Sequence, residues 1–353
     1  MAKLLVLNLG STSTKVALYH DDAVIETQTL RHTSAELAPY PTIMDQTEFR
    51  KGLIEVWLKS IDVKVSDMDL LVVRGGIVKP IRGGIYRITE TIYNEVHAEI
   101  HGSHISNVGM CIGYRWALET GLDVVFVNAP MTDEFQDVAR VVGLKGYQRR
   151  SGFHALNQKE IARQYAASIQ SSVDDLNLIV AHLGGGISIG AHNHGRVIDV
   201  NNPLDGEGPL SPERAGVLPS RVMYRVMAEH NNDPKAVQRL LVGQGGMVSL
   251  VGSNDMRDIM HRAQREPDVD LAINAMIYQI AKEIGAMASV LYGKVDQILI
   301  TGGLAHDASL INRLRPYVEW IAPISVYPGE DELGALARGA LRYLRGEENL
   351  QTY

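Results

Sequence analysis

Two turns made of small residues are the first places in this chain of 353 residues where chemistry is expected. One occupies residues 11–14, after an apolar run that ends at Gly10, and the other occupies residues 184–186. Small side chains let an anion approach backbone N–H groups, and the hydroxyls of the first turn add donors. Either turn alone could be an ordinary tight turn, which Gly and Ser also form. Two of them at matching places favour a pair of phosphate-binding turns.

Three better-known site motifs do not fit the chain. No Gly-x-x-x-x-Gly-Lys-Ser/Thr run is present, which excludes a Walker-A nucleotide site. The Gly-x-Gly runs lack the third glycine of a dinucleotide-binding fingerprint. Residues 186–190 match the Gly-x-Ser-x-Gly elbow of serine hydrolases, but apolar residues alternate around Ser188 and predict a strand there, whereas an elbow needs a strand-to-helix turn. We therefore do not expect Ser188 to be a nucleophile.

The two turns belong to a repeat that must position them. The apolar run 4–10 matches 178–184 in pattern, and in both copies the turn leads into a second strand and then a third apolar run. Later, the strand-like runs of 70–76 and 298–303 both end in Gly-Gly. Two ordered pairs of this kind indicate a duplicated protein of two domains with a cleft between the halves.

Hydrophobic periodicity predicts an α/β fold, because apolar runs alternate with long segments of helical period. Amphipathic helices are predicted at 271–292, whose methionines we expect to fill core space, and at 332–346. Buried strands are predicted at 4–7, 70–73, 124–127, 178–181 and 298–300.

Composition narrows the classes of function. The length corresponds to roughly two domains of about 150 residues, and the net charge of −7 without a Lys/Arg-rich run argues against a nucleic-acid partner. Cys111 is the one cysteine, so no intrachain disulfide is expected. The first apolar run ends at Asn8 and Gly10, too early for a signal peptide, and no stretch approaches the roughly 20 apolar residues of a membrane span. A cytoplasmic protein without a membrane partner is expected.

Six segments along essentially the whole chain together identify a family. They are NLGSTSTK (8–15), RGGIVKP (74–80), FHALNQK (153–159), HLGGGIS (182–188), DGEGPLSPER (205–214) and YPGEDE (327–332). In these segments the chain resembles the acetate kinase family, within the actin-like and sugar-kinase ATPase superfamily. The resemblance implies two duplicated, ribonuclease H-like ATPase domains around a central cleft. We expect an acyl kinase domain at 1–152, with a C-terminal helix in 333–353 packing back on it, and a nucleotide-binding domain at 153–332.

The resemblance implies reversible transfer of the γ-phosphoryl group of ATP to a short-chain carboxylate, giving an acyl phosphate and ADP with the help of Mg²⁺. The resemblance implies butyrate or a branched homologue as the acceptor. The run 153–159 argues against acetate as the acceptor, because the corresponding run of acetate kinases looks like Gly-Phe-His-Gly-Thr-Ser-His. Acetate or propionate kinase is the alternative enzyme. A non-catalytic actin-like nucleotide-binding protein is the alternative from another class, although it would not need Arg214 and His154. A homo-oligomer is expected from the family alone.

The resemblance also implies roles for single residues. Arg214 corresponds to an arginine that binds phosphate and carboxylate, and His154 to a histidine that stabilises the transferring phosphoryl group. His182 is implied to contact a nucleotide phosphate. His104 and Phe153 are implied to lie near the acyl group.

The remaining implied residues surround the nucleotide and the metal. Glu332 is the first choice for a metal-linked acid and Asp331 the second, although acids at 330–332 would also suit a helix N-terminus through its dipole. Asn8 is implied near both metal and phosphates. The residues implied to bind the nucleotide are Asn8, Ser11, Thr12, Ser13, Lys15, His182, Gly184, Gly185, Gly186, Thr301, Gly302 and Gly303.

Two positions depart from the family pattern. The position of Arg74 resembles a His in acetate kinases, where an arginine lies three residues earlier, at this chain's Leu71; we expect Arg74 to supply that charge. The strand at 124–127 usually ends in an Asp, and here it ends in Asn128, which keeps an acceptor oxygen without the charge. Asp133 lies near in sequence and could substitute in part. If position 128 is an acid site, Asn128→Asp should preserve or raise turnover.

Overall fold

The computed structural model describes all 353 residues and contains twelve strands and thirteen α-helices. The strands are β1 (Lys3–Gly10), β2 (Ser13–His20), β3 (Ala23–Arg31), β4 (Leu70–Arg74), β5 (Ile85–Arg87), β6 (Val124–Val127), β7 (Asn177–Leu183), β8 (Ile187–Asn193), β9 (Arg196–Val200), β10 (Gln297–Gly302), β11 (Ile324–Pro328) and β12 (Leu350–Gln351). The helices are α1 (Ser34–Leu37), α2 (Thr47–Ser60), α3 (Glu90–His97), α4 (Ile105–Thr120), α5 (Asp137–Arg140), α6 (Ala155–Ser168), α7 (Ser220–Glu229), α8 (Pro234–Leu241), α9 (Met247–Val251), α10 (Met256–Arg262), α11 (Pro267–Val290), α12 (Ala308–Val318) and α13 (Glu332–Leu344). All five predicted strands and both predicted helices are present.

The chain divides into two compact units. The first contains residues 1–133 and 331–353, and the second contains residues 134–330. The units therefore divide at 133/134 and 330/331, whereas the sequence placed domain limits at 152/153 and 332/333. None of the helices is long and apolar enough to cross a lipid bilayer.

Each unit is built on one sheet, and the two sheets repeat a common order. The first sheet runs β12-β5-β6-β4-β1-β2-β3 and the second β11-β10-β7-β8-β9. In both, two antiparallel hairpins connect the first three strands, and the later strand (β4 or β10) pairs in parallel with the first. The predicted duplication and the α/β class are confirmed by this order.

In the first unit, helices cover the central strands. Helix α4 packs against β1 and β4, and α13 also packs against these strands and β6. Glycines allow the close approach: a Cβ on Gly113 of α4 would lie 2.8 Å from Val124, and one on Gly339 of α13 would lie 2.7 Å from Val127. Contacts this short do not occur for real Cβ atoms, so both helices need glycine at these positions.

In the second unit, α11 lies against β7, β8 and β9, while α6 packs against β7 and β10. The methionines predicted to fill core space do so, since Met276 and Met287 are buried in the cluster under α11. Packing on both sides of each sheet holds the ends of β1, β4, β7 and β10 in place, and the predicted site residues follow those ends.

Candidate active site

The turn between β1 and β2 has its carbonyl oxygens bound from within the protein. Nη1 of Arg50 donates to the carbonyl oxygens of Gly10 and Ser13, each at 3.0 Å, and Nη2 donates to that of Ser11 at 2.8 Å. The carbonyl oxygen of Thr12 accepts the N–H of the residue that follows β3. Because all four carbonyl oxygens already accept hydrogen bonds, they repel an anion at this turn less strongly. The hydroxyl-bearing residues Ser11 and Thr12 are exposed.

Arg50 is the residue of this turn that sequence reasoning missed. It is fully buried on α2, and its other hydrogen bonds go to the side chains of Gln46 and Thr14 rather than to a carboxylate. Burial lowers the pKa of its guanidinium to about 10, which leaves it charged at neutral pH directly beneath the turn. A signal was present, because Arg50 precedes Ile54 and Leu58 at intervals of four and so shares their buried face.

Asn8, Arg74 and Glu332 meet near the carboxyl ends of β1 and β4. Nδ2 of Asn8 donates to Oε2 of Glu332 at 2.6 Å, and Nη1 of Arg74 pairs with Oε1 of Glu332 at 3.0 Å. Nη1 of Arg74 also lies 3.4 Å from Oδ1 of Asn8. The first unit thus joins three predicted site residues into one hydrogen-bonded cluster in which an arginine balances the acid.

His104 is held beside this cluster by its role at the start of α4. Its Nδ1 accepts the N–H of Ser106 at 3.2 Å, which caps the helix and leaves the ring proton on Nε2. Burial lowers the pKa of His104, the charge of Arg74 lowers it further, and Glu332 opposes both. The structure therefore provides a ring that is neutral at pH 7 and can donate from Nε2.

Asn128 is buried just beyond β6, and it forms hydrogen bonds with the backbone of Gly84. Its Oδ1 accepts the N–H of Gly84 at 2.8 Å, and its own N–H donates to the carbonyl oxygen of Gly84 at 2.9 Å. Its φ of +43° lies in the left-handed region, where Asn and Asp are the side chains that fit best. This geometry accounts for an Asn or Asp at the position without a metal.

Asp331 and Lys15, also predicted to bind the metal or the nucleotide, have other surroundings. Oδ1 of Asp331 accepts the N–H of Gly334 at 3.0 Å, and Oδ2 pairs with Arg338 at 3.0 Å. Asp331 therefore caps α13, the role at a helix N-terminus that the sequence also allowed. Lys15 is exposed on β2, with its backbone paired to that of Asn8.

In the second unit, the loop at 211–214 grips the glycine turn that follows β7. Oγ of Ser211 donates to the carbonyl oxygen of Gly185 at 2.6 Å, and the N–H of Glu213 donates to the same oxygen at 3.3 Å. Within the turn, the N–H of Gly184 donates to the carbonyl oxygen of Gly186 at 3.2 Å. The turn is fixed by these bonds, and Gly185 remains exposed.

Arg214 lies against this turn, with its guanidinium over Gly186. Burial lowers the pKa of Arg214, and the neighbouring Glu213 raises it again. Glu213 itself accepts a hydrogen bond from Asn254 at 2.8 Å, and no carboxylate forms an ion pair with Arg214. A half-buried guanidinium without an acid partner is suited to an anionic ligand.

His154 and His182 stack face to face, with ring centroids 3.7 Å apart and planes inclined by 12°. Nδ1 of His182 lies 2.8 Å from Oδ1 of Asn157, and Nε2 lies 3.1 Å from Oε1 of Glu330. Two acceptors therefore flank His182, which can donate from both nitrogens when protonated. The stack joins two histidines that the sequence could only place on separate segments.

The end of β10 lies beside the end of β7. Gly302 exchanges two backbone hydrogen bonds with Gly329, and its φ of +89° together with contact against the backbone of Leu183 requires glycine. Oγ1 of Thr301 donates to the carbonyl oxygen of Gly329 at 3.2 Å. Gly303 is exposed at the start of the following helical turn.

A pocket of about 700 Å³ opens between the two glycine-rich strand ends. Gly184 and Gly185 line it from the side of β7, Gly303 and Leu304 from the side of β10, and Glu330 also lines it. Its volume lies within the range of ligand pockets, about 300–1,000 Å³. Three of the residues predicted to bind the nucleotide, Gly184, Gly185 and Gly303, therefore line one cavity of the second unit.

Phe153 is buried in the second unit, at the residue before His154 and the start of α6. Phe153 is buried with Phe135 and Val197 in an apolar cluster, and its predicted contact with the acyl group stays a prediction. Sequence reasoning missed Asn157, whose Oδ1 lies 2.8 Å from Nδ1 of His182, and Gln158, whose Nε2 donates to Oγ of Ser188. Both follow His154 by one turn of α6, the spacing at which helical side chains are neighbours.

Comparisons with known proteins agree with this fold and these motifs. The model of the acetokinase family matches residues 137–318. A probable butyrate kinase from Clostridium botulinum is 43% identical over 352 residues, and butyrate kinase 2 from Clostridium acetobutylicum is 44% identical over 352 residues; each alignment covers 99% of both chains. The crystal structure of acetate kinase from Porphyromonas gingivalis superimposes with a TM-score of 0.79 at 19% identity, covering 96% of this chain and 99% of that one.

The structural likeness shows the fold, and the sequence identity over the full length shows the family. The family model covers more than half of the chain, and the relatives align from end to end. The chain belongs to the acetokinase family.

Proposed function

We propose that this protein is a short-chain fatty-acid kinase, which transfers the γ-phosphoryl group of ATP reversibly to butyrate or a branched homologue. Relatives named butyrate kinase, 43–44% identical over the full length, support this activity and substrate. The products are an acyl phosphate and ADP. A cytoplasmic location and a homo-oligomeric assembly belong to the same proposal.

The observation that carries the proposal is the guanidinium of Arg214, which lies on the glycine turn without an acid partner. A carboxylate is already a nucleophile at neutral pH, so the reaction needs no strong base. It needs two anions held together and the charge on the equatorial phosphoryl oxygens neutralised. Arg214 supplies a planar cation for those oxygens, and the stacked His154 and His182 supply ring N–H groups in the same unit.

The first unit contains its own set of groups suited to anions. Arg74 supplies positive charge for an anion, although Glu332 holds part of it through their ion pair. His104, neutral at pH 7, donates from Nε2 without adding charge. The turn over Arg50 exposes the hydroxyls of Ser11 and Thr12 as donors for phosphate oxygens.

The residues present fit a magnesium ion bound mainly through its substrate. No group of three or more His, Cys, Asp or Glu side chains forms a cage for a metal ion. Mg²⁺ in kinases typically uses one or two carboxylates together with phosphates and water. Glu332, oriented by Asn8, is the carboxylate suited to this, since Asp331 caps a helix. When bound, the ion neutralises charge on the phosphates.

Two alternatives use the same fold. An acetate or propionate kinase differs in acyl pocket size, and one methylene changes binding by only about 1–3 kcal/mol. A nucleotide-binding protein without carboxylate chemistry would bind ATP but leave Arg214 and His154 without a purpose.

Trapping acyl phosphates as hydroxamates tests the proposal directly. Purified protein with ATP and Mg²⁺ is given straight and branched acids of two to five carbons, and we expect the highest kcat/KM for a four- or five-carbon acid. A preference for acetate or propionate would select the alternative kinase. No hydroxamate with any acid would refute the kinase, and ATP binding by calorimetry would then identify a nucleotide-binding protein.

A further inference from the structure

A series of hydrogen bonds connects His192, in the interior of the second unit, to His154. Which group donates in each bond follows from the carbonyl oxygen of Ser188, which can only accept. Nε2 of Gln158 donates to the carbonyl oxygen of Ser188 at 3.0 Å and to its Oγ at 2.9 Å. A carbonyl oxygen cannot donate, so the amide nitrogen of Gln158 must lie on this side. Its Oε1 therefore faces Nε2 of His192, 3.1 Å away, and that nitrogen must carry a proton.

The hydroxyl of Ser188 has one acceptor within reach. Its oxygen accepts from Nε2 of Gln158 and, at 3.5 Å, from the backbone N–H of His154. The remaining neighbour is Nδ1 of His154 at 2.8 Å. Ser188 is fully buried, so water does not offer another acceptor. The Ser188 hydroxyl proton therefore points to Nδ1, which places the proton of a neutral His154 ring on Nε2.

His192, at the inner end of this series of hydrogen bonds, is held in its neutral state. His192 is buried at 2% exposure, and burial lowers its pKa to about 3, with the charge of Lys159 acting in the same direction. Ser188, Gly190 and His192 alternate along β8 and so share one face of the strand. A Cβ on Gly190 would lie 2.6 Å from Oε1 of Gln158, so only glycine leaves room for that side chain.

We propose that Ser188, oriented by Gln158 and His192, is a positioning residue that fixes His154 as the Nε2–H tautomer, ready to donate to an oxygen of the transferring phosphoryl group. This inference rests on the proposed function for the role of His154, but the tautomer itself does not. Choosing the wrong tautomer of a catalytic histidine can cost several orders of magnitude in turnover. A hydroxyl that only filled space would leave the tautomer free.

The first test measures the tautomer directly and needs no catalytic activity. Long-range ¹H–¹⁵N spectra of the full-length protein, labelled with ¹⁵N-histidine and recorded at pH 8, report which nitrogen of each ring is protonated. His154→Gln assigns the signals of His154. We expect Nε2–H and an unprotonated Nδ1 for His154, and Nε2–H for His192. A protonated Nδ1 on His154 at this pH would overturn the proposal.

The second test uses Ser188→Ala with a matched control. Removing the donor should release His154 into a mixture of tautomers and lower kcat by about 10–100-fold, with KM for ATP within about twofold. Ser188→Cys, which keeps a weak donor, should recover part of the loss. The control is Ser325→Ala, because Ser325 accepts from Nε2 of Gln297 at 2.9 Å in the same unit, at the opposite end of the sheet from the glycine turns. It should keep the kcat of the unmodified protein.

The outcomes separate this proposal from the proposed function. If Ser188→Ala leaves both kcat and the tautomer of His154 unchanged, the positioning role of Ser188 is overturned, even if the protein is an active kinase. Unchanged kcat in His154→Gln would instead overturn the role of His154 in catalysis, and the spectra would still decide its tautomer. A Ser188→Ala protein that fails to fold leaves the spectra of the unmodified protein as the deciding measurement.

Discussion

The guanidinium of Arg214 occupies the space that a side chain on residue 186 would need. A Cβ built on Gly186 overlaps Nη1 and Cζ of Arg214 and lies 2.9 Å from Nη2. The backbone of Gly186 is not in the left-handed region, so its conformation alone does not demand glycine. Glycine is needed there because a cation lies flat on the turn, and this links the glycine-rich motif to the arginine motif about 30 residues later.

We predict that Gly186→Ala separates activity from stability. The added methyl meets the end of a flexible side chain, so Arg214 moves aside and the fold loses little. Its charge then leaves the place where phosphoryl oxygens would meet it, and removing one such donor costs about 100–1,000-fold in kcat. We expect kcat in the hydroxamate assay to fall by at least about tenfold, and the midpoint of thermal unfolding to change by less than about 3 °C.

Gly285→Ala is the matched control for this prediction. A Cβ on Gly285 meets nothing within 4 Å, and the residue lies inside α11. Alanine is favoured over glycine in a helix by about 0.5–1 kcal/mol, so this variant should be equal or slightly more stable and fully active. Equal activity of both variants would contradict the role given to Arg214.

Arg50→Met should weaken the first turn and the fold together. The change leaves three partly buried carbonyl oxygens of the turn without their donor and removes a positive charge from beneath it. Each unsatisfied group costs about 1–3 kcal/mol. We expect urea unfolding to show a loss of about 3 kcal/mol or more, and KM for ATP to rise. Arg50→Lys keeps the charge with fewer donors, so its stability and its KM for ATP should lie between those of the unmodified protein and Arg50→Met.

Arg87→Met serves as the control for Arg50. Arg87 pairs with Asp123 at 2.8 Å on the surface of the same unit, where such pairs contribute about 0–1 kcal/mol. Its loss should leave both KM and stability nearly unchanged. An Arg50→Met protein as stable as this control would show that the turn keeps its shape without the buried guanidinium.

The strands and the duplication could be predicted because they depend on patterns that are local in sequence. Buried strands read as continuous apolar runs, and each hairpin turn is marked by small residues that directly follow a strand. The match between 4–10 and 178–184 then predicted equivalent places in the two sheets, as β1 and β7 show. Family motifs supplied the candidate residues, including Arg214 and His154.

The contacts among those residues could not be predicted, because each joins segments far apart in the chain. Glu332 meets Asn8 across 324 positions, and His182 meets Glu330 across a long separation. Composition and periodicity do not encode such pairings. Arg50 was missed for a different reason: an arginine usually indicates an exposed helix face, and here the turn above it provides carbonyl acceptors that make burial favourable.

Replacing the side-chain amide of Asn128 by a carboxylate tests whether position 128 accepts a charge. Asn128→Asp keeps an acceptor for the N–H of Gly84 and tolerates the positive φ, so we expect turnover equal to or above that of the unmodified protein. Asn128→Ala loses the bond and strains the backbone, and should cost about 1–3 kcal/mol in unfolding free energy. A large fall in kcat for Asn128→Asp, with stability retained, would show that position 128 is not an acid site.

A partly buried cluster of charged residues beside α11 makes the stability of the protein depend on pH. Every N–H of Arg149 is bonded: Asp199 and Glu207 accept three, and two backbone carbonyl oxygens accept the others. Glu283 faces this cluster without a hydrogen bond. Burial raises the pKa of Glu283 to about 6, the charges of Asp199 and Glu207 add to the rise, and Arg149 opposes it.

Glu283→Gln should therefore stabilise the protein above pH 6. The pKa of Glu283 is higher in the folded state than its ordinary 4.5, so ionising it costs folding free energy at neutral pH, and the cost disappears as the pH falls from 6 to 4.5. A shift of this size corresponds to about 2 kcal/mol at pH 7. Urea unfolding of both proteins from pH 4.5 to 8 measures the difference, with the exposed Glu319→Gln as control. A Glu283→Gln protein that was less stable than the unmodified protein at pH 7–8 would mean that the carboxylate stabilises the fold.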